Sequence, residues 1–456
     1  MGRDHPAAPG PKAAPAPADT RPGRPFGLLA AAGLMLLTAC APPDVTLPGP
    51  REPLRPEREE AETRNRAQPL RLPAPRANAD WPQRAGNARN RIRHPALGTA
   101  PALLWSVGIG AGNDRRHRIT ADPVAAGGRI FALDSRARVS ALGPDGQLLW
   151  QRDLTPPGED PDDASGGGLA VSGGRLFVTT GFGDLYALAP DSGAPLWRQR
   201  LEAPAAGAPT VAGGLVYVST RDSRGLAIDA ETGRVRWQLS GTPSVAGISG
   251  GAAPAVGGGR VVFPYSSAQL AAAFPRGGLR IWRASLAGGR PGQAYARLAD
   301  VTADPVIDRG TVYAGNAAGR TVALRLQDGT RLWNAPEGAT GPVWVEDDSL
   351  FLVSDRAQLV RLERRSGRRI WAVPLPEFQP ARNDRRRRDV YAHFGPVLAG
   401  GRLWVASGDG WLRGFDPADG ALQYRVALPG GAASRPIVAG ETMYLLNAAG
   451  QLLAFR

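Results

Sequence analysis

Few side chains in this sequence could do chemistry, and their types and spacing decide what that chemistry could be. The chain has one cysteine, Cys40, and four histidines among its 456 residues. His94, His117 and His393 lie far apart with no metal-ligand spacing among them, so each reads as a surface or loop histidine. Gly247-Ile248-Ser249-Gly250-Gly251 matches G-x-S-x-G. A nucleophile elbow needs a helix after its serine, whereas Ala252–Val256 reads as the start of another strand. Gly108-Ile109-Gly110-Ala111-Gly112 lacks the spacing and βαβ setting of a dinucleotide loop and reads as a turn after a strand. Glu159, Asp160, Asp162 and Asp163 could gather Ca²⁺ through their carboxylates, or simply form a solvated acidic loop, the reading taken here. Asn383–Asp389, with Arg385–Arg388 at its centre, could grip phosphate, a lipid headgroup or an acidic partner. Here too a solvated loop is the simpler reading. These residues predict no catalytic group and no metal site.

Cys40 has a more definite setting. Phe26–Ala39 is an apolar run preceded by Arg21 and Arg24, well short of the roughly 20 residues that a spanning helix needs. It reads as a signal peptide. Leu37-Thr38-Ala39-Cys40 resembles the bacterial lipobox, which implies cleavage before Cys40 and acylation of its sulfur and new amine; the alternative is an ordinary buried cysteine. Several acyl chains satisfy the multiple-signal requirement for stable anchoring. By resemblance to lipoprotein sorting, Ala41 in place of an aspartate points to the periplasmic face of the outer membrane. The Ala/Pro-rich residues before Arg21 are unusual for a signal peptide and suggest a misassigned start. Residues 1–39 are thus the signal peptide with its lipobox, and residues 40–79, rich in Pro, Arg and Glu, a flexible tether that cannot bury enough apolar area to offset ordering. Residues 80–456 hold the folded part, opening on Trp81-Pro82-Gln83-Arg84-Ala85-Gly86-Asn87.

The elements of that folded part come from a repeat. Ala227-Ile-Asp-Ala-Glu-Thr-Gly-Arg-Val-Arg-Trp237 has strand character at both ends and a glycine turn at Gly233. The spacing recurs in Ala187–Trp197, Ala272–Trp282, Ala323–Trp333 and Arg361–Trp371. Gly414–Tyr424 ends in tyrosine, and Ala141–Trp150 is one residue shorter. Before each copy lie a proline-marked strand, a glycine turn and a further strand, as in Pro209–Val218. Four short strands per period of roughly 40–50 residues predict a β-propeller of four-stranded antiparallel blades. The tail from Pro436 to Phe455 supplies three strands of a last blade, and Leu103–Val107 looks like a fourth strand without partners. Pairing them closes the ring at eight blades and removes exposed edges; seven blades is the alternative, because the repeat over Ala253–Leu286 is the most degenerate.

Charge narrows the function further. The net charge is +14, and Lys12 is the only lysine among 55 basic residues, a skew that fits a GC-rich genome. The arginines are dispersed among acids, which argues against a nucleic-acid interface.

The hairpin pattern Ala-x-Asp-x-x-x-Gly-x-x-x-Trp resembles the tryptophan-docking motif of pyrroloquinoline-quinone (PQQ) propellers. That resemblance implies that Trp105, Trp150, Trp197, Trp237, Trp282, Trp333 and Trp371 are structural, each packing on a neighbouring blade. The quinoprotein dehydrogenases of the family carry an adjacent cysteine pair and acidic calcium ligands, and this sequence shows neither. Lipobox, tether, Trp-Pro-Gln-x-x-Gly-Asn opening and eight blades together resemble the BamB-type propeller lipoproteins of outer-membrane β-barrel assembly. The resemblance implies a scaffold without catalysis, cofactor or small-molecule substrate. Its partners would be the POTRA domains of a BamA-like barrel and nascent outer-membrane proteins. It also implies contact segments. A Leu-Arg-Gly segment corresponds to Ile248-Ser249-Gly250, with serine in place of arginine, and an Arg-Leu-x-Asp-x-Asp segment to Arg297–Thr302, keeping Asp300 and changing the second acid to Thr302. Both stretches precede the first strand of a blade, so both loops should open on one rim, with Val245, Ile248 and Val301 as its apolar part. The competing readings are a quinoprotein-like or glycan-binding propeller with a degenerate site, and an adaptor that uses its arginine loops.

Overall fold

In a computed structural model of the chain, which describes residues 65–244, 250–288, 290, 300–380 and 389–456, Ala227–Trp237 is the outer hairpin of a four-stranded antiparallel blade. Its strands are Thr210–Ala212, Leu215–Ser219, Arg224–Asp229 and Val235–Ser240, in that order from inside to outside. Gly233 turns the outer hairpin at φ +73°, a conformation that costs glycine nothing. Ala227 pairs with Trp237, and a bulge follows directly between Ala227 and Ile228. A small residue opposite the indole leaves room for the ring, and the bulge sharpens the twist.

Eight such sheets form, at residues 124–153, 167–200, 210–240, 255–285, 301–335, 344–374 and 393–427, and one built from both ends of the propeller segment. We number them blades one to eight. In blade eight, Leu103–Gly108 pairs antiparallel with Gln451–Phe455, outside Thr442–Leu446 and Ile437–Ala439. The ring therefore has eight blades, not seven. No helix occurs among the described residues.

The seams between blades repeat one contact. A Cβ at Gly193, Gly233 or Gly278 would lie 2.6–2.7 Å from the indole of Trp150, Trp197 or Trp237 of the preceding blade. The indole N–H donates into that same turn, from Trp150 to the Pro190 carbonyl at 2.9 Å and from Trp237 to the Pro275 carbonyl at 2.9 Å. Trp105, Trp282 and Trp333 likewise lie over Gly146, Gly329 and Gly367. At blade seven Tyr424 takes the tryptophan's place, and its hydroxyl donates to the Pro101 carbonyl at 3.4 Å. Each indole also leans on an aromatic of its own blade, such as Phe177 against Trp197 at 5.9 Å, so the seam joins area burial with a satisfied polar edge. Blade four departs from this: Val262 stands in the aromatic position, and Phe263 beside it packs on Trp237 of blade three instead.

The expected tether boundary at residue 80 is too late. Residues 62–456 make one compact unit, and the described chain from Asn65 onward is already hydrogen-bonded to blades. Arg66 N–H donates to the Ile370 carbonyl, and Asn78 Nδ2 to the Val438 carbonyl. This stretch continues as a strap along the innermost strands. Those strands are edges, and the strap satisfies their amides: Ala125 donates to Trp81, Val171 to Pro82, Val256 to Ala88 and Ile307 to Arg89, while Val211 donates to the Gln83 side chain. Composition concealed this, because a strap gains its order from the edges it covers and not from a core of its own.

Candidate functional site

Strands 4 and 1 of successive blades are joined by loops on one rim, opposite the turns that join strands 1 and 2. The connections from Ser240 to Ala255 and from Ser285 to Val301 join two such pairs of strands. The expected contact residues Val245, Ile248 and Ser249 lie outside the described residues, as do Cys40 and Arg385–Arg388. The described flanks do converge. Gly250, Gly251 and Thr302 line one central funnel of about 770 Å³. Asp300 is only 6% exposed, and the Thr302 hydroxyl donates to the Ala339 carbonyl at 2.6 Å. Neither side chain is displayed on the rim; both are buried where the inner strand of blade five begins.

Below them the axis holds four charges that the sequence reading missed. Arg435 Nε donates to Asp122 Oδ2 at 2.9 Å, and its Nη2 reaches Asp304 Oδ2 at 3.2 Å. Arg84 of the strap lies 3.3 Å from Asp122 and 3.4 Å from Asp304. Asp304 is wholly buried and also accepts from the Ala253 amide at 2.7 Å. Arg84 Nη1 donates to the Gly251 carbonyl at 2.6 Å. Burial works against the charge of Arg435, but Asp122 and Asp304 outweigh it and hold the guanidinium protonated. The cluster ties blades one, four, five and eight to the strap. Two plus and two minus charges balance, as a buried set must. A sequence signal existed: Asp122-Pro123, Asp304-Pro305 and Arg435-Pro436 each put a charge just before the proline of an inner strand.

The histidines meet their expectation only in part: His94 and His117 lie in loops, while His393 begins a strand. His94 and His117 are buried, at 2% and 4% exposure. His94 Nδ1 lies 2.8 Å from the Pro73 carbonyl, and Nε2 accepts from the Gly401 amide at 2.8 Å, which pins the strap to blade seven. His117 bridges two rim loops, with Nδ1 2.9 Å from Asp114 Oδ2 and Nε2 3.0 Å from the Asp162 carbonyl. Hydrogen bonding to the Asp162 carbonyl and then to Asp114 pushes its pKa up. Burial pushes that of His393 down, and its ring lies between Ser407 Oγ and the Pro376 carbonyl, both at 2.7 Å.

The motif readings can be placed as well. Ala255–Gly257 after the G-x-S-x-G stretch is a strand, so no elbow helix follows it. Gly110 and Gly112 are glycines because Asp134 and the Ala448–Gly450 backbone press on them. Asp162 of the acidic loop is paired with Arg136 at 3.0 Å. Among the described residues no group of His, Cys, Asp or Glu side chains could hold a metal ion.

Comparison with known proteins places the chain. The family model for outer membrane protein assembly factor BamB matches residues 135–373 and 382–456, well over half the chain. BamB of Yersinia pestis is 25% identical over 363 residues, covering 78% of this chain and 89% of that protein. BamB of Alkalilimnicola ehrlichii is 31% identical over 211 residues, covering 46% and 52%. The crystal structure of BamB from Moraxella catarrhalis superposes with a TM-score of 0.65 at 17% identity, over 78% of this chain and 100% of that one. The quinohemoprotein alcohol dehydrogenase of Comamonas testosteroni reaches 0.63 at 15% identity, over 83% and 80%. At such identities a superposition carries the fold alone, so the family rests on the sequence match: the chain belongs to the BamB family of outer membrane protein assembly factors.

Proposed function

We propose that this chain is a non-catalytic scaffold of outer-membrane protein assembly, lipid-anchored through Cys40 on the periplasmic face of the outer membrane. Its rim, carrying Val245, Ile248 and Ser249 with the loop rooted at Asp300 and Thr302, docks the POTRA domains of a BamA-like barrel and helps present nascent outer-membrane proteins. The observation that supports this most is the convergence of both loop roots on Arg84 and Asp304. Loops rooted on one rigid cluster keep their spacing, and preorganisation of that kind lowers the cost of binding. The axis is filled by charges that pair with each other, which favours a scaffold over a quinoprotein-like or glycan-binding propeller.

Because Asp300 is buried, its substitution would report on folding as much as on contact. A photo-crosslinking residue at Ser249 is the cleaner probe, with one at the exposed turn residue Ser192, on the opposite face, as control. A POTRA-bearing barrel protein should be captured from Ser249 and not from Ser192. Capture from Ser192 alone would overturn the rim. Recovery of a quinone or glycan fragments with no barrel would overturn the scaffold.

A further inference from the structure

On the strap face, between blades four and five, four arginines line a groove of about 420 Å³: Arg89 of the strap, Arg260 of blade four, and Arg309 and Arg325 of blade five. Asp328 pairs with Arg325 at 2.9 Å. Among the described residues no carboxylate forms an ion pair with the other three. Arg260 is held in place, its guanidinium 4.7 Å from the Phe274 ring centroid and its Nη1 donating to the Gly259 carbonyl at 3.1 Å. Its Nε is buried without a hydrogen-bond partner.

Sister grooves in the same ring show that this charge is not a by-product of the repeat. Arg129 of blade one, which like Arg260 follows a Gly-Gly turn, reaches Asp191 in the outer turn of blade two at 2.8 Å. The groove between blades two and three carries Arg175, Arg236 and Arg276 but also Asp229 and Glu231, with Arg236 and Asp229 paired at 2.6 Å. Asp191 and Glu231 each stand two residues before the turn glycine. In blade five that place is taken by Gln327, which lines the arginine groove. At that position the acid is replaced by a neutral side chain where the arginines are densest, and Asp328 beside it reaches only Arg325 of the four.

We infer that this groove binds the phosphate of an anionic lipid headgroup. Arginine presents a planar fork of donors that matches phosphate oxygens, and four guanidiniums of which only Arg325 is ion-paired to an acid among the described residues gain most from an anion with several acceptors. The lipid source follows from the side on which the groove opens. It lies on the strap face, and 25 residues separate Asn65 from Cys40, a number that spans about 25–30 Å in a chain of random-coil dimensions. A headgroup at the anchoring surface is therefore within reach. This step rests on the lipid-anchor reading above.

The test uses the full chain in dilute detergent and soluble short-chain lipids, so that it does not depend on the anchor. Dihexanoylphosphatidylglycerol, dihexanoylphosphatidylcholine and inorganic phosphate are titrated separately, and amide hydrogen exchange is followed at residues 257–260, 307–311 and 325–328. Saturable protection by the phosphatidylglycerol lipid is expected, weakened about tenfold or more by Arg89→Glu with Arg309→Glu and by raised salt. Arg175→Glu in the groove between blades two and three should leave it unchanged. No protection by any of the three, or protection indifferent to the paired substitutions, overturns the site. Protection by inorganic phosphate alone overturns its membrane source. If the paired substitutions lower capture of a protein partner while lipid protects nothing, the groove belongs to an acidic protein surface and the proposal fails. The anchor is judged separately, since Cys40→Ala should abolish membrane fractionation; persistence there sinks the anchor and leaves the groove result standing.

Discussion

The seams between blades use one contact many times, an indole over a glycine turn, whereas the axis is held by four charges that occur once each. Each seam joins neighbours only, so its loss is local and the remaining seams still hold. The axis joins blades one, four, five and eight with the strap through residues that do not recur from blade to blade. Repetition gives tolerance, and a buried cluster that does not repeat gives a point of failure.

Removing one axial charge should therefore do the most damage. Asp304→Ala strips a wholly buried carboxylate from two arginines and from the Ala253 amide. Urea unfolding should show a loss of about 3–5 kcal/mol. A loss below about 1 kcal/mol would mean that water reaches the axis and that the contrast is overstated.

At a seam the effect should be smaller and should depend on the neighbour. Gly233 and Gly213 have similar backbone angles, φ +73° and +59°. A Cβ at Gly233 would meet the Trp197 indole at 2.7 Å, while one at Gly213 meets nothing within 4 Å. Gly213→Ala should cost only the backbone strain, about 1 kcal/mol. Gly233→Ala should cost about 1–3 kcal/mol more, because the ring must shift. Equal costs in the same unfolding experiment would show that the indole moves freely and that the seam is not close-packed.

The rim adds a third kind of bond, one that titrates. Both ring nitrogens of His117 face acceptors, so both contacts are satisfied only when the ring is protonated. A pKa raised in the folded state means that this contribution is fully present below the unfolded value near 6.5 and is lost as pH rises through the higher folded value. Hydrogen exchange at residues 113–118 and 160–165 should speed up across that rise, beyond the intrinsic pH dependence of exchange. His117→Gln should flatten the change, and a wild-type profile already flat would remove His117 as a latch.

How far the sequence could be read follows the same division. The indole and its glycine are large and small residues at fixed spacing, and a pattern repeated along the chain survives one weak copy, such as blade four with Val262 in place of an aromatic. The strap offered no such pattern. Its Pro- and Arg-rich composition is that of a flexible segment, and the amides it covers belong to blades far along the chain. Asp300 and Thr302 were expected on the contact rim, yet both side chains are buried, because the residues that begin an inner strand point by alternation either to the funnel or to a neighbouring blade.

By itself the sequence determined the blade and pointed to eight of them closed by pairing the two ends, because the blade rests on contacts between residues close in sequence and recurs from one repeat to the next; the structure decided for eight over seven. Only the tertiary structure decided what lies at the centre. Arg84, Asp122, Asp304 and Arg435 are spread over some 350 positions and meet only once the ring has closed. The arginines of the groove between blades four and five likewise meet only where two neighbouring blades and the strap pack together. A charge before a proline marks the axial positions, but which charges neutralise one another across blades is set only by the tertiary packing that brings them together.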